Sequence, residues 1–320
     1  MADGVTAPLR PGLPVGIGGL PHDDPEAAAR LVLDAQPELP ACPQLPAIGE
    51  GMLDQVRPWL ADDTTPSVLP TGAWGAAHAF FDLVAAEPPP ALKLQVAGPV
   101  TVGWALADTG VPDQEGLARA TRAVEAALTA VVGAARRAAP RAGIVVFLDE
   151  PRLSLSSDGR VGPWSRPEAA CALGAAVGHL GALGCTSGVH CCARPDWSVL
   201  AQAAPTIVSL PAALLGGGDA AQAARHLGRG GWIAWGVLPT DRPLSSDVDA
   251  HQLVQALRAR WDQLAAAGGD DRFDPALASA RGLVSADCGL SGFSEADACR
   301  ALHVVAAAGD ILGARVGTGR

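Results

Sequence analysis

The chain has 320 residues, 49% of them hydrophobic, and its 33 acidic side chains outnumber 23 basic ones for a formal net charge of −10. That balance argues against nucleic acid and anionic membrane as partners, since both need a basic face. Seven cysteines at irregular spacing, two of them adjacent, do not make a small secreted disulfide framework and fit a reduced, cytoplasmic compartment. No basic segment followed by an apolar run opens the chain, and no stretch reaches the length of a membrane span.

Residues 1–14 carry Pro8, Pro11 and Pro14 and read as an irregular segment. Val15-Gly16-Ile17-Gly18-Gly19 reads as a short strand running into Leu20-Pro21-His22. Asp24 is placed to cap a helix with Pro25 at its first position. Residues 37–46, punctuated by proline, leave room for a short strand near Ala41, and a helix with Met52, Val56 and Trp59 follows Gly49. From 61 to 90 the pattern is mixed.

Beyond Pro88-Pro89-Pro90 an alternation sets in. Residues 92–96 form a strand that ends in Gly98-Pro99-Val100-Thr101. Asp113 and Glu115 open a long helix with Leu117, Val124, Leu128 and Val131 along one face, closed by Arg136 and Arg137. Residues 144–148 are a continuous apolar run, the mark of a strand buried on both faces, and it ends in Asp149-Glu150-Pro151. A helix over 166–183 leads into Thr186-Ser187-Gly188-Val189-His190-Cys191-Cys192. Further strands are expected at 206–210, 232–237 and 283–286, the last leading to Asp287-Cys288-Gly289-Leu290. Leu253, Leu257, Trp261 and Leu264 make a helix stripe, and Ser294 with Asp297 opens the final helix in the manner of a capping box. Gly216-Gly217-Gly218 lacks the Lys-Ser/Thr of a phosphate loop and reads as a flexible turn.

Strand and helix alternate with no change of composition regime, which predicts one domain over 15–320. Asp149, Glu150, His190, Cys192 and Cys288 all fall at C-terminal strand ends, where a closed barrel keeps its chemistry. An open doubly wound sheet also puts ligands there. The expected fold is α/β, a single (β/α)8 TIM-type barrel, because strands from most of the chain must converge on one site.

Residues two apart in a strand share a side, so His190 and Cys192 face one way and Cys191 the other. With Cys288 from a separate strand end they make three ligands of the kind zinc prefers, leaving a fourth position open as catalytic zinc sites do. The alternative is a buried histidine with small apolar cysteines, the role assigned to Cys191, Cys42, Cys171, Cys185 and Cys299. Asp149 either faces the mouth and binds a cationic substrate group or hydrogen-bonds nearby backbone amides.

Ile17-Gly18-Gly19-Leu20-Pro21, Gly98-Pro99-Val100-Thr101, Asp149-Glu150-Pro151, His190-Cys191-Cys192 and Asp287-Cys288-Gly289-Leu290 occur in the order found in cobalamin-independent methionine synthases. The chain resembles the catalytic barrel of that family along nearly its whole length, as a stand-alone core. The family is related to uroporphyrinogen decarboxylase and to corrinoid-dependent methyltransferases. The resemblance implies that His190, Cys192 and Cys288 bind Zn2+ and that Asp149 holds the amino group of homocysteine. Glu50 lies near another substrate-binding carboxylate of the family, and is otherwise a solvated helix start. His22 is a substrate contact or a surface loop residue, and Trp104 is packing or a flank for a planar methyl donor.

Two positions depart from the family pattern. Pro211 stands where the family has a glutamate as fourth zinc ligand, and Gly19 where it has a substrate-contacting serine. Water or a nearby carboxylate such as Glu150 is expected in place of the missing ligand, and Glu150 is expected to share the catalytic role with Asp149. The implied activity is methyl transfer to homocysteine or a related thiol. Its donor would be a methylfolate or a methylcorrinoid, the latter free as methylcobalamin or carried by a corrinoid protein. The other reading is an altered barrel that binds a small thiol or metal without methyl transfer.

Overall fold

Six parallel strands, hydrogen-bonded in sequence order, organise a computed structural model that describes residues 7–61, 68–153, 160–267 and 272–314. They are β1 (Ala91–Ala97), β2 (Gly143–Asp149), β3 (Thr186–His190), β4 (Ile207–Pro211), β5 (Trp232–Leu238) and β6 (Gly282–Ala286). Helices α1 (Pro25–Ala35), α2 (Met52–Val56) and α3 (Gly75–Ala86) precede the sheet. The crossovers carry α4 (Pro99–Ala107) and α5 (Asp113–Ala138), α6 (Arg166–Ala182), α7 (Trp197–Ala203), α8 (Gly217–Gly228), then α9 (Ala250–Ala266) and α10 (Pro275–Ala280). After β6 comes α11 (Glu295–Ala314).

The strands read as apolar runs because both faces are covered, as a parallel sheet requires. Alternate residues go to different cores. Val145, Phe147, Ile207, Ala234 and Leu283 form one cluster with Leu13 and Val15. Val146, Leu148, Val208, Leu210 and Ile233 belong to a second, shared with the helices. A sheet that encloses an apolar layer of its own is curved, and this one is a half-barrel consistent with the TIM-type fold.

Among the described residues six regular strands are found, not the eight expected. The two N-terminal segments lie between β6 and β1 but contribute only isolated bridges, Pro14 to Val284, Gly19 to Gln44 and Ala41 to Lys93. Two or three backbone bonds hold each: Gly12 N–H to Gly282 O at 2.8 Å, Val15 N–H to Val284 O at 2.8 Å and Val284 N–H to Leu13 O at 3.1 Å; Gln44 N–H to Gly18 O and Leu20 N–H to Gln44 O, both at 2.9 Å; Cys42 N–H to Lys93 O at 2.8 Å and Lys93 N–H to Pro40 O at 3.0 Å. Pro14, Pro21, Pro40, Pro43 and Pro46 have no N–H to give a ladder, so pairing stops after two or three bonds. Gly18 adds a φ of +124°, and a Cβ there would stand 2.4 Å from the Gln95 amide nitrogen.

Local signals behaved as chemistry predicts. The Asp24 carboxylate accepts from Glu26 N at 2.9 Å at the start of α1, and Ser294 Oγ accepts from Asp297 N at 3.1 Å at the start of α11. Gly216–Gly218, expected as a turn, instead supply the N-cap and first residues of α8. Helices α3, α4, α7 and α10 lie outside the elements expected from the sequence. Among the described residues no helix is long and apolar enough to cross a membrane. Residues 1–6 of the expected N-terminal irregular segment lie outside those described.

Candidate metal centre

Parallel register builds the site. Asp149 at the end of β2 is the partner of His190 at the end of β3, and His190 is the partner of Ser209 in β4. The three are therefore neighbours across the sheet. Cys192 lies two residues past the end of β3 and Cys288 two past the end of β6. One ligand atom from each of His190, Cys192 and Cys288 lies within 4.8 Å of the others. Cys191 is buried in the outer core with the helices, on the opposite side from His190, as the alternation required.

The imidazole is 2% exposed, its Nδ1 sits 3.0 Å from Ser209 Oγ, and its Nε2 is buried. A buried ring nitrogen beside two thiols is what a soft metal completes. A hydrogen bond between the two sulfurs pulls the Cys192 thiol down to about 7 and, with burial, pushes Cys288 up to about 12. One imidazole and two thiols are a donor set that fits zinc.

Below the strand ends lies a polar layer. Asp149 is 4% exposed, and its Oδ1 has no partner. Burial raises its pKa, opposed by the charges of Lys93 and His190. Lys93, the only lysine in the chain, is fully buried; its Nζ donates to Ile17 O and to Gln95 Oε1 at 3.0 Å and lies 4.8 Å from the centroid of Phe147. Desolvation lowers it to about 8 while Asp149 pulls it back up. Gln95 in turn donates to Cys42 O at 2.7 Å.

Glu150 belongs elsewhere. Its carboxylate accepts from Val100 N at 2.9 Å, Thr101 N at 2.8 Å and Thr101 Oγ1 at 2.6 Å, so it caps the first turn of α4. Burial carries its pKa up to about 7 against the pull of those three donors. It is not among the grouped ligand atoms. Glu50 caps α3 in the same way, accepting from Ala76 N at 3.1 and 3.2 Å, and burial raises its pKa too. It is buried rather than solvated.

His22 is buried with Nδ1 unpartnered. The Gly19 carbonyl accepts from Leu290 N at 2.7 Å, which ties the first bridge segment to the loop that carries Cys288. Trp104 lies half-buried under the Arg152 guanidinium at 5.0 Å. Pro211 ends β4 and is buried, with no side-chain donor to offer. Sequence reasoning passed over Ser209, Lys93 and Gln95. Their signal was available, since each is a polar residue inside an otherwise apolar strand.

No protein-family model matches the chain, and no curated protein does. Among solved structures it is similar to a B12-independent methionine synthase from Shewanella sp. W3-18-1, solved in complex with selenomethionine. The match has 14% sequence identity and a TM-score of 0.51, and it covers 74% of this chain and 67% of that one. At that identity the likeness shows the fold: an α/β half-barrel of the TIM type.

Proposed function

We propose that this chain is a zinc-dependent methyltransferase that S-methylates homocysteine or a related thiol, with a methylfolate or a methylcorrinoid as donor. The observation that carries the reading is that one ring nitrogen of the buried His190 and the sulfurs of Cys192 and Cys288 lie within 4.8 Å of one another. The similarity in fold to a methionine synthase supports it, as do the five motifs in order. In this reading residues 15–320 are one TIM-type barrel domain with the two bridge segments as its remaining staves. The seven cysteines, none in a disulfide, suit a reducing cytoplasm.

His190, Cys192 and Cys288 would hold the zinc, which when bound keeps a substrate thiol deprotonated at neutral pH. The chain's own residues bind and aim the acceptor. Asp149, with Oδ1 free, receives the ammonium group of the amino acid, while the charge of Lys93 beneath it opposes the burial that raises the carboxyl's pKa. His22 and the Gly19 backbone border the substrate from the first bridge segment. Glu150 and Glu50 act one step back, by fixing the first turns of α4 and α3, so Glu150 supports the catalytic centre without ligating. Trp104 offers a flat flank for the donor.

Pro211 favours a second reading, in which the barrel binds a small thiol or metal without methyl transfer. The purified protein incubated with homocysteine and either methylcobalamin or methyltetrahydrofolate separates the two. Methionine formed with one donor, and not without protein, is expected. Homocysteine binding with no methionine from either donor would give the lead to the second reading.

A further inference from the structure

His190 has two ring nitrogens, and a neutral imidazole carries its proton on only one of them. Which one is set by the partner of the other nitrogen. Nδ1 lies 3.0 Å from Ser209 Oγ, both groups buried, with Ser209 0% exposed, and the ring also hydrogen-bonds with the Cys288 thiol. The contact is not an accident of rotamers: His190 and Ser209 are register partners on β3 and β4. The Ser209 carbonyl also accepts from Cys191 N at 2.9 Å, so the same residue holds the backbone between His190 and Cys192.

From this geometry we infer that Ser209 is the positioning residue of the site: its hydroxyl accepts from Nδ1–H, fixes the ring plane and leaves the lone pair of Nε2 aimed at the two sulfurs. The inference rests on the zinc reading for its purpose, but the choice of tautomer belongs to the protein alone. Pro211 gives Ser209 added weight. With no fourth side-chain ligand from β4, the strand's contribution to the centre passes through this hydroxyl.

The test uses the whole chain as wild type, Ser209→Ala and Ser209→Thr, each checked by circular dichroism for a native melting transition. In metal-free protein, long-range ¹H–¹⁵N NMR of the imidazoles reads the tautomer. Wild type and Ser209→Thr are expected to show His190 as the Nδ1–H form, and Ser209→Ala to lose that preference. Zinc alone, titrated against a competing chelator, is expected to bind Ser209→Ala about 10–100-fold more weakly, with Ser209→Thr restored toward wild type. An unchanged tautomer in Ser209→Ala, or zinc affinity equal to wild type, overturns the inference. If wild type itself takes no zinc, the metal reading fails while the tautomer measurement still decides the role of Ser209.

Discussion

Asp149→Asn is expected to lower kcat/KM for homocysteine by about 100-fold while zinc content stays at the wild-type level. The carboxylate is buried, its Oδ1 unpartnered, and it stands beside His190 at the strand ends. Removing one partner of a desolvated charge pair costs about 3 kcal/mol, and each 1.4 kcal/mol is about tenfold. The loss should fall on amino-acid thiols: a thiol without an ammonium group should bind wild type and variant alike. Equal kcat/KM for homocysteine in both proteins would remove Asp149 from the substrate site and leave it a counter-charge to Lys93.

The second large effect is on stability. Glu150→Ala strips three donors of their acceptor at once, Val100 N, Thr101 N and Thr101 Oγ1, all in the first turn of α4. Buried donors left unpaired cost about 1–3 kcal/mol each, with partial relief from water entering the space, so a loss of roughly 3 kcal/mol is expected in chemical denaturation. The effect carries a pH signature. Glu150 titrates near 7 when folded, above the ordinary carboxyl value. The folded state therefore holds this proton in a window where the unfolded state has released it. Its contribution is complete below about pH 4.5 and is lost as the pH rises through about 7. The stability gap between wild type and Glu150→Ala should narrow across that window; a gap that widens with pH would contradict the assignment. Zinc affinity should change far less than in a ligand variant, because the carboxylate serves the helix.

Much of this was legible in the chain itself. Apolar runs bounded by glycine and proline gave all six strands to within a residue or two, because burial on both faces leaves no other pattern. The alternation of His190, Cys191 and Cys192 placed two ligands on one side and the third cysteine in the outer core. Caps whose partners lie two or three residues away, Asp24 and Ser294, were equally readable. What escaped depends on distance along the chain. Glu150 and Glu50 cap helices that begin 51 and 25 residues away from them, at Pro99 and Gly75, so a local reading saw only acidic residues at strand or helix ends. Ser209 and Lys93 acquire meaning only from register between strands, which the sequence of one strand does not specify. The N-terminal segments erred the other way. Their β-branched and glycine pattern suggested strands, but the prolines around them limited each to isolated bridges.

In the proposed site His190, Cys192 and Cys288 together hold a metal for a thiol. The most direct measurement is the metal content of protein purified under reducing conditions without added metal, for wild type and Cys288→Ala. One zinc per wild-type chain is expected, lost in the variant with the fold intact, together with a cobalt-substituted wild type whose visible spectrum shifts when homocysteine is added. Wild-type protein that folds but carries no stoichiometric zinc, and takes none up when it is supplied, would contradict this assignment.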